Sequence, residues 1–317
     1  MFTTDINKQK ELELYNEAIK ALHKRERDIL SSKNYVNSLK LEKLKTQGLL
    51  RLIKNRFDIM LDKAKHDKKL LFDRYKRLKD AKNYRDDTNY FCNDRIAVYT
   101  CIVGKYDSLI EPLVKPDNID YYAITDFEIP PNSLWKRIDI STVPIITDYS
   151  NVLKNRYLKM NPQILFKNYK YSVYVDGNIK IYTDFTEHVN RISKYGFSHF
   201  KHSLRKSSYE EADACKLLRK DSFDAIDKYV EKLKKDNFPD NYGLLECSII
   251  VREHNKKECI NIMQQWWDEF KDNVKRDQII LPYILYKNGI KTDSVATLGA
   301  NIDEDLSFEI VKHEVKK

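Results

Sequence analysis

Three apolar runs, each broken off by a glycine or a carboxylate, most narrow what this chain can fold into. Residues 96–103 run into Gly104, residues 120–125 close on Asp126, and residues 171–181 are interrupted by Asp176-Gly177-Asn178. Their Val, Ile, Tyr and Thr content suits buried strands. Residues 135–140 and 243–252 read as further strands. Between them, residues 151–160 form a helix pattern that stops before Pro162, and residues 183–195, 209–235, 258–270 and 276–287 also look helical. Strands alternating with helices predict a mixed or mainly parallel α/β sheet covered on both faces. Ligands of such sheets gather at the carboxyl ends of the strands, where Gly104, Asp126 and Asp176 fall. A carboxylate ending a buried strand is costly without a partner. The plainer reading of Asp176-Gly177-Asn178 is the turn of a hairpin, and spacing alone does not separate the two.

The first 95 residues differ from the rest. They hold 24 Lys and Arg against 15 Asp and Glu, which accounts for the whole net charge of +9. Residues 5–85 have no proline and one glycine, and a heptad column runs through Tyr15, Leu22, Ile29, Val36, Leu50, Phe57, Ala64, Leu71 and Leu78, broken at Lys43. One long helix or a helical hairpin is expected there, with Ser31 to Asn34 as a break. The domain division expected is residues 1–90 for this segment and 91–317 for the α/β domain. The helices are expected to form a homo-oligomer as a coiled coil or to make peripheral contact with an anionic membrane. Nucleic acid is not an expected partner, because the basic residues lack an interleaved aromatic platform.

No apolar run is long enough to span a bilayer and no signal peptide opens the chain, so a cytoplasmic protein is expected, held if anywhere at the inner membrane face. The five cysteines show no metal-ligand spacing and read as reduced thiols. Phosphate-cradling glycine loops, a serine nucleophile elbow and the zinc-protease helix are absent from the sequence. What remains are charged clusters beside strands: Asp176; His199, His202 and Arg205; Glu210 and Glu211; Arg252 and His254; and Arg276-Asp277-Gln278. Each has a structural reading. Glu210 and Glu211 can simply begin a helix, and Asp277 can cap one.

In order, the clusters resemble a glycosyltransferase-like family. The resemblance is carried by residues 98–109, the Val-Asp-Gly core of residues 171–181, His199 and His202 with residues 209–214, residues 251–254 and residues 275–279. It spans about residues 96–300. The family was long a domain of unknown function, and it includes bacterial polysaccharide-cluster proteins and plant Golgi proteins linked to cell-wall polysaccharide. The resemblance implies a GT-A-like nucleotide-binding fold and transfer of a sugar from a nucleotide-sugar donor to a glycan or lipid-linked acceptor. By that likeness Thr100, Gly104, Tyr106 and Asp107 would hold the nucleoside with Asp126, and Asp176-Gly177-Asn178 would occupy the position of the Asp-x-Asp motif. A divalent cation, Mn²⁺ or Mg²⁺, would have Asp176 as its ligand, and Asn178 in place of a second carboxylate counts against it. Arg156 and Lys159 would instead neutralise the diphosphate. Asp277 would orient the sugar or act as base, Gln278 would lie near the anomeric carbon, and Glu246 is a second candidate base. His199, His202, Arg205, Glu211, Arg252 and His254 would line the donor-sugar or acceptor cleft. The alternatives are a nucleotide-sugar hydrolase and a non-catalytic coiled-coil scaffold with a degenerate transferase domain.

Overall fold

The computed structural model describes residues 94–104 and 106–311, together with Lys69 and Asp73 as isolated helical positions. The expected N-terminal helix or hairpin, with its oligomer and membrane contacts, lies outside the described residues. The chain divides into compact units of residues 1–69 and 70–317, and the second holds the α/β fold. Its elements are β1 (Ile96–Ile102), β2 (Ile119–Thr125), β3 (Trp135–Asp139), α1 (Asn151–Met160), β4 (Tyr171–Val175), β5 (Ile179–Ile181) and α2 (Thr186–Asn190). After them come β6 (Phe197–Lys201), α3 (Ser208–Leu217), α4 (Phe223–Lys235), β7 (Leu245–Arg252), α5 (Lys257–Asp272), α6 (Asp277–Lys287) and β8 (Phe308–Ile310). Among the described residues no helix is long and apolar enough to cross a membrane.

Six strands form one sheet in the order β3-β2-β1-β4-β7-β6. β1 pairs in parallel with β2 and β4, and β2 with β3, whereas β7 runs antiparallel to β4 and β6. The sheet is therefore mixed and mostly parallel, as expected. The period of two along β1 sends Ala97, Tyr99 and Cys101 into one core and Ile96 and Val98 into another on the opposite face. Both faces are covered, which is why β1 reads as a continuous apolar run with no polar alternation.

Three expectations change. β4 and β5 do not form a hairpin: β4 stays in the large sheet while β5 pairs antiparallel with β8 in a second, two-stranded sheet. Asp176-Gly177-Asn178 is thus the point where the chain leaves the main sheet. The helix expected over residues 209–235 is two helices. Arg219 takes a left-handed φ of 52°, and the Ser222 hydroxyl then caps α4 by accepting from Ala225 N at 3.2 Å. The helix expected over residues 183–195 is confined to the five residues of α2.

The strand directions place one edge of the sheet at the carboxyl ends of β1, β2, β4 and β6 and at the start of β7. At the opposite edge Asp120 is buried but fully engaged, by Lys136 Nζ at 2.6 Å, Tyr169 OH at 2.7 Å and Arg95. Burial alone would raise its carboxyl, and these partners bring it down to about 2. That carboxylate fastens the fold. The candidate site lies at the other edge.

Candidate active site

Helix α6 is apolar nearly all round, with residues 279–285 buried on every side, so it sits in the core as a fixed post. Its first turn carries Asp277 and Gln278 to the edge that holds the candidate site, and Trp266 Nε1 anchors it by donating to Asp277 O at 3.1 Å. Asp277 is not the cap it resembled in sequence; Arg276 holds that position without a side-chain capping bond. The Asp277 carboxylate accepts from Lys159 Nζ at 2.7 Å and lies 3.1 Å from Arg156 Nε. Burial would raise this carboxyl, but Arg156, Lys159 and Arg276 outweigh it and hold it below the usual carboxylate range.

Both cations come from α1, three residues apart on one helix face. The end of α1 is tied down by Arg252, which has no exposed surface. Its Nη1 donates to Lys159 O at 2.7 Å and its Nη2 to Tyr99 OH at 2.6 Å, while Tyr99 OH donates to Leu158 O at 3.0 Å. Lys159 Nζ also stands 3.6 Å from Asp176 Oδ1, whose other neighbour is Tyr174 OH, donating at 2.8 Å. The result is a chain of alternating charge: Arg156, Asp277, Lys159, Asp176.

Glu246, second residue of β7, completes the cluster. Its Oε1 accepts from Gln278 Nε2 at 3.1 Å and from Ser248 N at 3.0 Å. Burial raises its carboxyl, and the nearby Asp176 adds to the rise. The two candidate catalytic carboxylates are therefore pushed in opposite directions.

Gly104 and Asp126, 22 residues apart in sequence, meet where Gly104 N donates to Asp126 Oδ2 at 2.9 Å. Gly104 has φ 69°, where a side chain is strained. Tyr106 is two-thirds exposed beside them. The turn at Gly177 packs onto the same loop: a Cβ there would stand 3.0 Å from Ile102 Cδ1 and 3.2 Å from Asp107 Cβ. Gly177→Ala is accordingly expected to cost about 1–3 kcal/mol, measured by urea unfolding; an unchanged midpoint would contradict the close approach.

Several expected site residues serve the site from behind. Lys159 is buried, with 1% of its side chain exposed, and meets Asp277 and Asp176 inside the protein; Arg156, 22% exposed, is the more accessible of the two cations. Thr100 lies inside β1, buried, short of the strand end. His199 is fully buried and held neutral, its imidazole pushed down by burial to about 3; its Nδ1–H donates to Glu246 O at 3.0 Å and so fixes the backbone of that carboxylate. His254, pushed down by burial to about 4, contacts Phe166 O at 2.9 Å through Nε2. Arg252 and His254 thus correct the expectation that they line the cleft: both are shut inside the core. His202 Nδ1 accepts from Leu204 N and Arg205 N, each at 3.1 Å, and shapes the loop after β6. Asn155 and Ser248 were missed from sequence. Asn155 Nδ2 donates to Cys101 O at 2.6 Å, pinning α1 to β1, and no sequence signal marks either residue.

The fit of a divalent cation was set by the donor atoms. Asn178 Nδ2 donates to Val311 O at 3.0 Å and Asn178 O accepts from Val311 N at 2.8 Å, so this residue clamps the segment after β8. The ammonium of Lys159 already stands beside Asp176. Among the described residues no three His, Cys, Asp or Glu side chains converge as ligands. These residues do not make a two-carboxylate cation site.

With this geometry in place, the family model described as TOD1/MUCI70, glycosyltransferase-like domain matches residues 131–313, more than half of the chain. The chain belongs to the TOD1/MUCI70 glycosyltransferase-like family. The matched stretch of this glycosyltransferase-like domain includes Arg156, Asp176, Glu246 and Asp277 and leaves β1 and β2 outside. No curated protein matches the chain in sequence. Among solved structures it is similar to the apo bifunctional glycosyltransferase WbbM, at 14% identity and TM-score 0.38, over 68% of this chain and 40% of that one. It is also similar to mouse xyloside xylosyltransferase 1, at 9% identity and TM-score 0.38, over 63% of this chain and 83% of that one. A third is the mannosyltransferase Ktr4p of S. cerevisiae, at 10% identity and TM-score 0.35, over 63% and 68%. The chain thus spans well under half the length of WbbM. These likenesses are coarse, and family membership together with the mixed six-stranded sheet identifies the type of domain.

Proposed function

We propose that this glycosyltransferase-like domain transfers a sugar from a nucleotide-sugar donor to a hydroxyl of a glycan acceptor. The observation that carries the reading is the pair of carboxylates pushed apart at one edge of the sheet: Asp277 held ionised between two cations, and Glu246 raised by burial. A carboxyl raised toward neutral pH is the better proton acceptor; one locked between cations is a poor base.

In this reading the nucleoside lies against Gly104, Tyr106 and Asp126, and the diphosphate lies over Arg156. Glu246 takes the proton of the acceptor hydroxyl as its oxygen bonds the anomeric carbon. The bond from that carbon to the diphosphate breaks, and the guanidinium of Arg156 meets the charge that develops on the leaving oxygen. Gln278 keeps Glu246 oriented through the 3.1 Å bond. Asp277 holds Arg156 and Lys159 in register, so the electrostatics are in place before the donor arrives.

The positive charge comes from the protein, and transfer is therefore expected to survive chelation. The test is release of nucleoside diphosphate from UDP-, GDP- and dTDP-sugars with a glycan acceptor, with and without EDTA. Acceptor-dependent turnover that EDTA leaves unchanged supports the reading. Turnover that EDTA abolishes would reassign Asp176 to a metal, and acceptor-independent release alone would point to a hydrolase.

A further inference from the structure

Asp277 and Gln278 have roles in the site, but the residue before them does not. The Arg276 side chain is 21% exposed, and the one hydrogen-bonding neighbour of its guanidinium among the described residues is the weakly accepting Cys215 sulfur. The nearest carboxylate oxygen, Glu211 Oε1, is 3.7 Å away, and Arg276 Nε is buried without a partner. A guanidinium this far from water is costly unless its donors find acceptors. Glu211 cannot supply them all. It is buried, bonded by Arg205 from the loop after β6, and it accepts from the Cys215 thiol at 3.2 Å. Two guanidiniums thus flank one carboxylate; Arg205 is 26% exposed, with its Nε on Glu211 and its Nη2 2.9 Å from His202 Nε2, so its Nη1 is the group left to face a ligand. The other acidic groups near this loop are engaged: Glu210 accepts from Lys206 N at 2.7 Å, and Asp303 from Ser203 Oγ at 3.3 Å.

The position of the pair follows from strand order. Along the ligand edge, β2 and β1 carry Asp126 and Gly104, β4 carries Asp176, β7 carries Glu246, and β6 leads into His202 and Arg205. Neighbouring strands stand about 4.8 Å apart, so the Arg205 loop starts two strand spacings beyond Asp176, on the side of Glu246 away from the nucleoside end. Arg276 adjoins Asp277 on that flank. A planar guanidinium with free N–H groups matches a carboxylate or phosphate bidentately.

We propose that Arg276 and Arg205 form an oxyanion subsite for the acceptor, taking a carboxylate or phosphate carried by an acidic acceptor glycan. Placement on the acceptor side rests on the donor reading above. Glu211 is the template that holds the two forks, and the ligand's oxyanion supplies the acceptors Arg276 lacks.

The test uses the full chain and ligand-observed NMR titration with methyl glucuronide, glucose 6-phosphate and the neutral methyl glucoside, alongside UDP, GDP and dTDP. The same titrations are run on Arg276→Gln and on Arg205→Lys, which keeps a cation beside Glu211 and so protects the fold; melting curves confirm both variants. At least one anionic sugar is expected to bind about tenfold more tightly than methyl glucoside, with that preference lost in both variants and nucleoside diphosphate binding unchanged. Which anion is preferred tells carboxylate from phosphate. Equal binding of charged and neutral sugars, or a preference that survives both substitutions, overturns the proposal. A matching loss of nucleoside diphosphate affinity would assign the pair to the donor and overturn its acceptor role. Failure of every nucleotide to bind the unmodified protein would remove the proposed function, and this subsite with it.

Discussion

Asp277→Asn is expected to lower stability by about 3–5 kcal/mol, because it leaves buried Lys159 and partly buried Arg156 beside each other without their shared anion. Turnover should vanish with it, since Arg156 loses the partner that aims it. The pH dependence has a definite sign. The Asp277 carboxyl is held below its ordinary 3.8 in the folded protein, so its contribution is present above that value and is lost as pH falls through the lower folded one. The gap between the two proteins in urea melts should therefore be full at pH 7 and should narrow below about pH 3.8. Equal midpoints at pH 7 would show that the charge chain does not hold the site.

Glu246→Gln should do the reverse: stability kept, turnover lowered by about 10²–10⁴. The amide oxygen of Gln can still accept from Gln278 Nε2 and Ser248 N, so the local bonds survive. Because burial raises the Glu246 carboxyl above its ordinary 4.5, the folded protein favours the protonated form. Glu246 then costs stability as pH rises from 4.5 through its folded value, and the variant should be at least as stable as the unmodified protein at pH 7. The same shift places the acidic limb of the activity profile above 4.5, where the base must lose its proton. Turnover within twofold of normal in Glu246→Gln would remove Glu246 as the base and leave the proton without an acceptor on this face.

β1 to β5, β7 and most helices were legible because period and composition are local properties, whereas β6 and β8 were not read as strands. Helix α1 was read to its exact ends, its stop from Pro162, and the structure adds the Ser150 cap at its start. The break between α3 and α4 was not, because a left-handed Arg219 leaves no compositional trace. Asp176, Glu246, Asp277 and Gln278 were picked out as candidates, and the structure brings them to one edge. What sequence could not show was which charges face solvent. Lys159, Arg252, His199 and His254 looked like ligand-binding groups by type, yet each is buried and satisfies a backbone carbonyl or an internal carboxylate. Burial depends on the packing of α1, α5 and α6 over the sheet, a set of contacts distant in sequence. The exchange of Asn178 from a ligand position to a clamp on Val311 depends likewise on a partner 133 residues away.

Equilibrium binding of nucleotide sugars to the full chain tests the central claim most directly. A thermal-shift series with UDP-, GDP-, CMP- and dTDP-sugars in EDTA should show one nucleotide raising the melting temperature. A donor at about 100 times its dissociation constant adds about 2.7 kcal/mol, and Asp126→Ala and Arg156→Gln should weaken that shift. Silence across the whole series from a well-folded sample, with or without added Mn²⁺, would contradict a donor site at this edge of the sheet.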